Sequence, residues 1–520
     1  MPEYLAPGVT IEEIERGPRP IDGVPTSTAA FLGETERGPI KPRLITSYIE
    51  YKRWFGDVFG NRDKYMPYAA NGFFENGGRR LYVCRIVSND ATSAEFEFGN
   101  FVARAVGAGE WGNRIFVKVR ESSTATKAPG TSDPIPVGFR LQIAYWANEP
   151  DGGLFDPFDP DNRTLRPRPT LVEDFDDLVL DAKSSDYFEK RLVGNSSLIA
   201  FTQIDPADAT LPAPGLGTLA GGDNGTEVGA DDFTGLPADE RTEPQGLTAL
   251  ELDPYREVAL VYAPFPSTAR ETIHLAVISH CENMRFRFGV IDSERDESNL
   301  DNLDPRSTLQ DTQYAAFYYP WIQVADPQSG ALKHVPPGGN VLGIYARTDT
   351  ERGVFKAPAN ETVRGAVELR FDINDRAQEV LNPRGVNAIR SFPGRGIRVW
   401  GARTLSSNGL WKYVSVRRLF IFLERSIYEG TQWVVFEPND DRLWARVTDT
   451  VRLFLRTQWR NGALFGRTEK EAFFITCDRT TMTQDDILNG RLICEIGIAP
   501  VRPAEFVIFR IFQHTAEAQR

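Results

Sequence analysis

The sequence predicts a multidomain α+β protein: an α/β domain interrupted by a β-rich insertion and followed by a separate C-terminal α/β region. Three observations lead there. At 520 residues the chain is too long for one ordinary hydrophobic core. Strand-length apolar runs alternate with helical periodicity at residues 26–94 and again at 246–390, the pattern of βαβ material. Between these blocks, residues 95–245 carry short strand-like runs divided by Pro, Gly and Asp clusters, the pattern of a β-rich insertion.

Residues 1–25 hold too few apolar positions for a core and read as an extended arm, in which Val9, Thr10, Ile11, Glu12 and Glu13 form a short strand. A lone strand must satisfy its backbone on another sheet, in this chain or a neighbour. From there the spacing predicts a strand at Thr28–Gly33, a helix near Ser47–Phe55 and a strand at Arg80–Val87. The second block resumes with a strand at Val258–Tyr262, a helix capped by Ser267 and running to about Cys281, and a strand at Arg287–Asp292, a βαβ order. In the insertion, Ile115–Val119, Phe139–Ile143 and Ser197–Phe201 read as strands, and Asp151–Pro160 and Gly221–Gly225 as exposed loops. Residues 391–520 form the C-terminal domain. Tyr413, Val416, Leu419, Phe420, Leu423 and Ile427 recur at helical spacing, as do Leu443, Val447, Val451 and Phe454. Two strands, Arg491–Ile498 and Phe506, Val507, Ile508, Phe509, Arg510, Ile511, Phe512, are expected to close the chain.

Charge and chemistry narrow the function. A net charge of −13 argues against free nucleic acid as the partner, since such binding neutralises phosphates. The charge is uneven: residues 121–245 hold 23 acidic and 9 basic residues, whereas 391–520 hold 19 basic and 14 acidic, so the two regions are expected to face different things. Four cysteines (Cys84, Cys281, Cys477, Cys494) lack C-x-x-C spacing and read as reduced. No run approaches the ~20 apolar residues that span a bilayer, and the N-terminus lacks the pattern of a secretory leader, so assembly in a cytoplasm is expected without membrane insertion. His274, His280, His334 and His514 form no metal-binding spacing. The His280-Cys281 pair reads as packing, and Asp156, Asp159 and Asp161 as an acidic loop without the EF-hand pattern. No catalytic, cofactor-binding or metal residue is assigned. The rival reading is a multidomain α/β carbohydrate-active enzyme, which would need two carboxylates about 5–10 Å apart in a cleft.

An ordered set of short motifs then resembles the phage tail sheath family, which includes contractile phage tails, R-type pyocins and extracellular contractile injection systems. It opens with Tyr4-Leu-Ala-Pro-Gly-Val-Thr-Ile-Glu-Glu13, Gly23-Val-Pro-Thr-Ser-Thr-Ala-Ala-Phe-Leu-Gly33 and Arg37-Gly-Pro39, and continues at Gly221–Gly225 and Gly246–Leu250. The densest matches are Val335-Pro-Pro-Gly-Gly339, Arg352–Asn360, Leu381-Asn-Pro-Arg-Gly-Val-Asn387 and Trp400-Gly-Ala-Arg-Thr-Leu405. Val416-Arg-Arg-Leu419, Phe436-Glu-Pro-Asn439, Gly462-Ala-Leu464 and Pro503-Ala-Glu-Phe506 complete the order.

The resemblance implies a structural subunit that polymerises as stacked hexameric rings around an inner tube, contracts from a metastable extended state, and needs no cofactor. It implies an inner domain built from the two chain ends, with the arm strand Val9–Glu13 and the terminal strand Phe506–Phe512 exchanged between subunits. Its implied partners are further copies of itself, an inner tube protein, and baseplate and terminator or cap proteins, within a virion tail or an injection particle. For the tube contact the expectation is one face of the second C-terminal helix, carrying Arg442, Arg446, Arg456 and Arg460.

Overall fold

A computed structural model describes residues 20–60, 64–126, 135–236, 244–264 and 269–510. The described residues fall into two compact units, one of residues 25–417 and the other of 418–510 with 20–24. The arm strand Val9–Glu13, the helix cap Ser267 and the last residues of the terminal strand, Ile511 and Phe512, lie outside the described residues.

In the larger unit, strands rich in Ala, Val, Leu and aromatic residues are buried along their whole length, as in Ala29–Gly33, Leu81–Arg85, Phe288–Asp292 and Ala315–Tyr319. Such continuous apolar runs suit a sheet covered on both faces. They assemble into a nine-stranded sheet. Its centre is parallel, in the order Leu81–Arg85, Ala29–Gly33, Leu260–Tyr262, Phe288–Asp292, Ala315–Tyr319 and Val386–Phe392. Antiparallel strands Arg43–Ile45 and Gly396–Val399 flank that centre, and Glu361–Thr362 pairs with Gly396–Val399 at the far edge.

Alternation along the strands assigns the faces. Ala30, Leu32, Val261, Ile291 and Phe317 pack with Ile273, Val277, Ile278 and Cys281 of the helix Arg270–Met284. Phe31, on the opposite face, meets Phe73 of the helix Met66–Glu75 edge to face at 5.4 Å, and Tyr318 meets Tyr345 of the helix Gly338–Glu351. The expected helix near Ser47 is Tyr48–Phe55, with the Ser47 hydroxyl accepting from the Glu50 amide, a standard N-cap.

The segment from Glu95 to Thr218 forms sheets of its own. A four-stranded sheet (Leu171–Leu178, Phe139–Tyr145, Ile115–Glu121, Gly215–Thr218) and a three-stranded one (Ile199–Gln203, Phe101–Ala105, Glu95–Phe98) share a core that includes Phe101, Phe139, Phe188 and Phe201. The Phe101 and Phe201 rings stack at 5.4 Å.

Two expectations need correction. A C-terminal domain starting at residue 391 would cut the strand Val386–Phe392, which pairs in parallel with Ala315–Tyr319 and forms a hairpin with Gly396–Val399; the smaller unit begins at 418 instead. Terminal strand pairing is also shorter than expected. Only Glu495–Ile498 of the 491–498 run is a strand.

The motifs behind the resemblance explain much of the packing. Asn387 is fully buried: its amide donates to the Phe317 and Arg403 carbonyls, and its oxygen accepts from the Arg403 amide. The motif Leu381–Asn387 is thereby fastened to Trp400–Leu405. Gly338 donates its amide to Asp292, whose other carboxylate oxygen accepts from the Tyr262 hydroxyl at 2.5 Å. Burial pushes the Asp292 carboxyl up to about 7.

Two helices also meet at their glycines. A Cβ on Gly339 would stand 2.5 Å from the Ala69 carbonyl oxygen, and one on Gly343 would stand 2.4 Å from that of Phe73. Helix propensity alone favours alanine over glycine by about 1 kcal/mol, whereas overpacking against backbone costs about 1–3 kcal/mol. Gly343→Ala is therefore expected to destabilise the larger unit, read as a lower urea midpoint; an unchanged or higher midpoint would contradict this close approach.

Candidate assembly surface

The smaller unit is built on two amphipathic helices. It holds residues 418–430 of the helix Val414–Gly430 and all of Asp441–Arg460. Residues 20–24 pack along the first: Val24 donates its amide to Ser426 Oγ at 3.2 Å. A Cβ on Gly430 would stand 2.7 Å from Ile21 Cγ1, and one on Gly23 would stand 3.0 Å from the Phe422 ring.

The loop between the helices is a capping device. Asp440 accepts from the Arg442 and Leu443 amides, Asn439 Oδ1 accepts from Trp444 Nε1 at 2.7 Å, and Asn439 Nδ2 donates to the Arg491 carbonyl. This accounts for the motif Phe436–Asn439. Phe436 itself is fully exposed, with a φ of 68°, a backbone region that bulky residues rarely occupy.

Along Asp441–Arg460, the residues Leu443, Trp444, Val447, Val451, Phe454 and Leu455 are buried. Arg442, Arg446, Arg456 and Arg460 lie within about 40° of one line on the opposite side, at 100° per residue. They are not equivalent. Arg446 pairs with Glu437 at 3.0 Å, and Arg456 pairs with Glu469 at 2.7 Å. The Glu469 carboxyl is held below its usual range by hydrogen bonding from Arg456, despite an opposing desolvation, with Arg452 and Arg460 adding to the effect. Arg442 and Arg460 are exposed and make no ion pair among the described residues. The face expected to be basic is thus half neutralised, and Leu453 and Asp449 lie on it as well. Glu437 and Glu469 come from outside the helix, so helical periodicity alone does not reveal them.

After Glu469–Ala472 the chain forms a two-stranded antiparallel ribbon, Phe473–Thr476 with Glu495–Ile498. Phe465, Phe474 and Leu488 around it are largely exposed. Beyond the ribbon, Val501 donates to the Ala463 carbonyl at 3.1 Å, and this is where the motif Gly462–Leu464 takes part. The run Phe506, Val507, Ile508 and Phe509 follows with every side chain exposed, from 68% to 84%. Four large apolar residues in sequence rarely stand in water without a partner surface.

The rest of the molecule offers no catalytic constellation among the described residues. A cleft of about 1150 Å³ is lined in part by Glu34, Glu36, Arg37, Asp57 and Arg85. Three of its carboxylates are committed: Glu36 accepts from Tyr145 and the Asp57 amide, Asp57 pairs with Lys52, and Glu34 pairs with Lys64. Arg37 donates to the carbonyls of Lys52, Arg53 and Trp54, and Arg85 to those of Gly38 and Ala108. His280 is buried against Arg287 at 2.5 Å, and burial pushes its pKa down to about 3. Asp156 pairs with Lys118, and Asp159 caps the turn Pro160–Thr164. No described group of three or more His, Cys, Asp or Glu residues is placed to hold a metal, and no described helix is long and apolar enough to cross a membrane.

Comparison with known proteins matches this framework. The family model of the phage tail sheath protein central domain matches residues 239–405, and that of the phage tail sheath C-terminal domain matches residues 406–514. The chain belongs to the phage tail sheath family. Members of this family are structural proteins and not enzymes. Among sheath relatives, a prophage-assigned major tail sheath protein of Pseudomonas aeruginosa is 29% identical over 199 residues, covering 37% of this chain and 49% of the relative. The tail sheath protein of Salmonella phage ViI is 25% identical over 199 residues, covering 37% of this chain and 30% of the relative. The match thus spans about half or less of these curated relatives.

Similarity to solved sheath structures extends over the whole fold. A chain of the contracted helical sheath of the anti-feeding prophage aligns with a TM-score of 0.59 at 24% identity, covering 98% of this chain and all of that one. A chain of the contracted PVC sheath, from an extracellular contractile injection system, aligns at 0.57 and 22%, covering 99% of this chain and all of that one. The sheath tail protein of Listeria innocua aligns at 0.55 and 12%, covering 93% of this chain and 96% of that one.

Proposed function

We propose that this chain is the structural subunit of a contractile sheath, polymerising as stacked sixfold rings around an inner tube and contracting to drive that tube through a target envelope. The observation that carries the reading is the smaller unit's outfit for strand sharing. It has a ribbon of only two strands and an exposed apolar tail at 506–509, in a chain whose family is that of tail sheaths. A two-stranded ribbon is marginal alone, and adding strands to its edges satisfies backbone groups and covers apolar side chains together. The arm strand Val9–Glu13 and the terminal run Phe506–Phe512 of neighbouring copies are the strands we assign to those edges.

Strand pairing of this kind tolerates large rigid-body movement, because pairing stays fixed while connectors bend. Contraction then draws on contacts that the extended assembly has not yet made, and no nucleotide site is needed. The inner tube, a baseplate and a terminator or cap are the further partners of such a subunit, whether in a phage tail or in a headless injection particle assembled in a bacterial cytoplasm.

Two experiments test this reading. Expressed alone, the chain should form hollow cylinders by negative-stain electron microscopy, and deletion of residues 1–20 should leave soluble subunits without cylinders. Dispersed wild-type subunits across a range of salt, or unchanged cylinders from the deletion, would contradict it.

The tube contact is tested at Arg442 and Arg460, because Arg446 and Arg456 already hold Glu437 and Glu469 within the chain. Exposed ion pairs contribute only about 0.2–1 kcal/mol each, so the effect relies on repetition around each ring. The double variant Arg442→Glu, Arg460→Glu should keep self-assembly yet lose co-sedimentation with the tube protein. Full tube binding by that variant would remove this helix face from the contact.

A further inference from the structure

Cys477 and Cys494 occupy the position just past the last paired residues of the ribbon. The register runs from Phe473 opposite Ile498 to Thr476 opposite Glu495, so Cys477 faces Cys494 at the next step. The Ala499 amide donates to the Ala472 carbonyl at 2.9 Å, which makes 472/499 a hydrogen-bonded position. Alternation along an antiparallel pair then makes 474/497 and 476/495 hydrogen-bonded and leaves 477/494 at the closer, non-hydrogen-bonded kind. Cα atoms at such positions stand about 4.5 Å apart with side chains on one face, within the about 4.4–6.8 Å that a disulfide bridges. Burial aside, each thiol also perturbs the other, Cys494 being raised and Cys477 lowered by their mutual interaction.

Their exposure differs usefully. Cys477 is buried and Cys494 half-buried, so an oxidant meets Cys494 first. Cys84 and Cys281 are almost completely buried in the core of the larger unit and are out of reach. The segment between the pair, residues 478–493, includes the short helix Gln484–Leu488 and exposed Arg479 and Arg491.

We propose that Cys477 and Cys494 form a reversible intrachain disulfide that clamps the end of the ribbon and closes residues 478–493 into a covalent loop. The co-reactant is a small disulfide oxidant. Cys494 Sγ, as thiolate, attacks one sulfur of that disulfide, breaking its S–S bond and releasing one thiolate. Cys477 Sγ then attacks Cys494 Sγ, forming the intrachain bond and releasing the second thiolate. Both protein protons end on the two small-molecule thiols, and the protein pair is oxidised by two electrons as the oxidant is reduced. Burial pushes Cys494 up to about 12 and raises Cys477 as well, so the thiolate is scarce near neutrality and the reaction should quicken as pH rises. The clamp would hold the two strands in register while their outer edges stay open.

The test uses the full chain, purified reduced, incubated with oxidised glutathione, alkylated, and cut with trypsin without reduction. Cleavage at Arg479 and Arg491 should release the Cys477 and Cys494 peptides as one linked species that dithiothreitol separates, with Cys84 and Cys281 still alkylated. The variant Cys477→Ser should stop at a glutathione adduct on Cys494, because the resolving sulfur is gone. A stable adduct on Cys494 in the wild type, a linkage between two copies, or four alkylated thiols at the end of the incubation would each overturn the proposal.

Discussion

The structure depends on one constraint: backbone amides and carbonyls need partners, and the smaller unit does not supply all of its own among the described residues. Its ribbon has two strands and therefore two open edges. Its last described run places Phe506, Val507, Ile508 and Phe509 in solvent. The larger unit shows the opposite economy, with a nine-stranded sheet whose central strands are buried on both faces. One part of the chain pairs its strands into an extended sheet, whereas the other leaves a two-stranded ribbon and an exposed apolar run, the features behind the proposed completion by a neighbour.

The buried ionisable groups of the larger unit serve packing. Asp292, Arg37, Arg85 and His280 are the kinds of buried ionisable groups that mark active sites in enzymes. Here each is spent on local structure: a helix amide and a tyrosine hydroxyl, backbone carbonyls, or a neighbouring guanidinium. The motifs that resemble the family serve the same end. Asn387 ties the segment at Arg403 to the strand Ala315–Tyr319, Gly339 and Gly343 let two helices touch, and Asn439 with Asp440 starts the helix Asp441–Arg460.

The sheet strands and long helices were legible because their signals are local. Continuous apolar runs marked Ala29–Gly33 and Phe288–Asp292, and helical spacing marked both C-terminal helices. The start of the smaller unit was not legible, since whether Val386–Phe392 joins the central sheet depends on pairing with Ala315–Tyr319, some 70 residues earlier. Of the candidate assembly surface, the helix and its arginines were readable from periodicity, but the neutralising roles of Glu437 and Glu469 arise from a preceding loop and a following short helix that fold back on it. The terminal run reads as a strand because Phe, Val and Ile favour pleated, half-buried surfaces. Within one chain that preference is unmet over 506–510.

Amide hydrogen exchange on dispersed subunits and on assembled particles tests this account most directly. Residues 501–510 and the edges of the ribbon should exchange rapidly in the dispersed chain and slow by about 100-fold or more on assembly, as unpaired amides become paired, while the central sheet strands stay protected in both. Equal exchange at 501–510 in the two states would show that neighbouring copies do not complete the smaller unit.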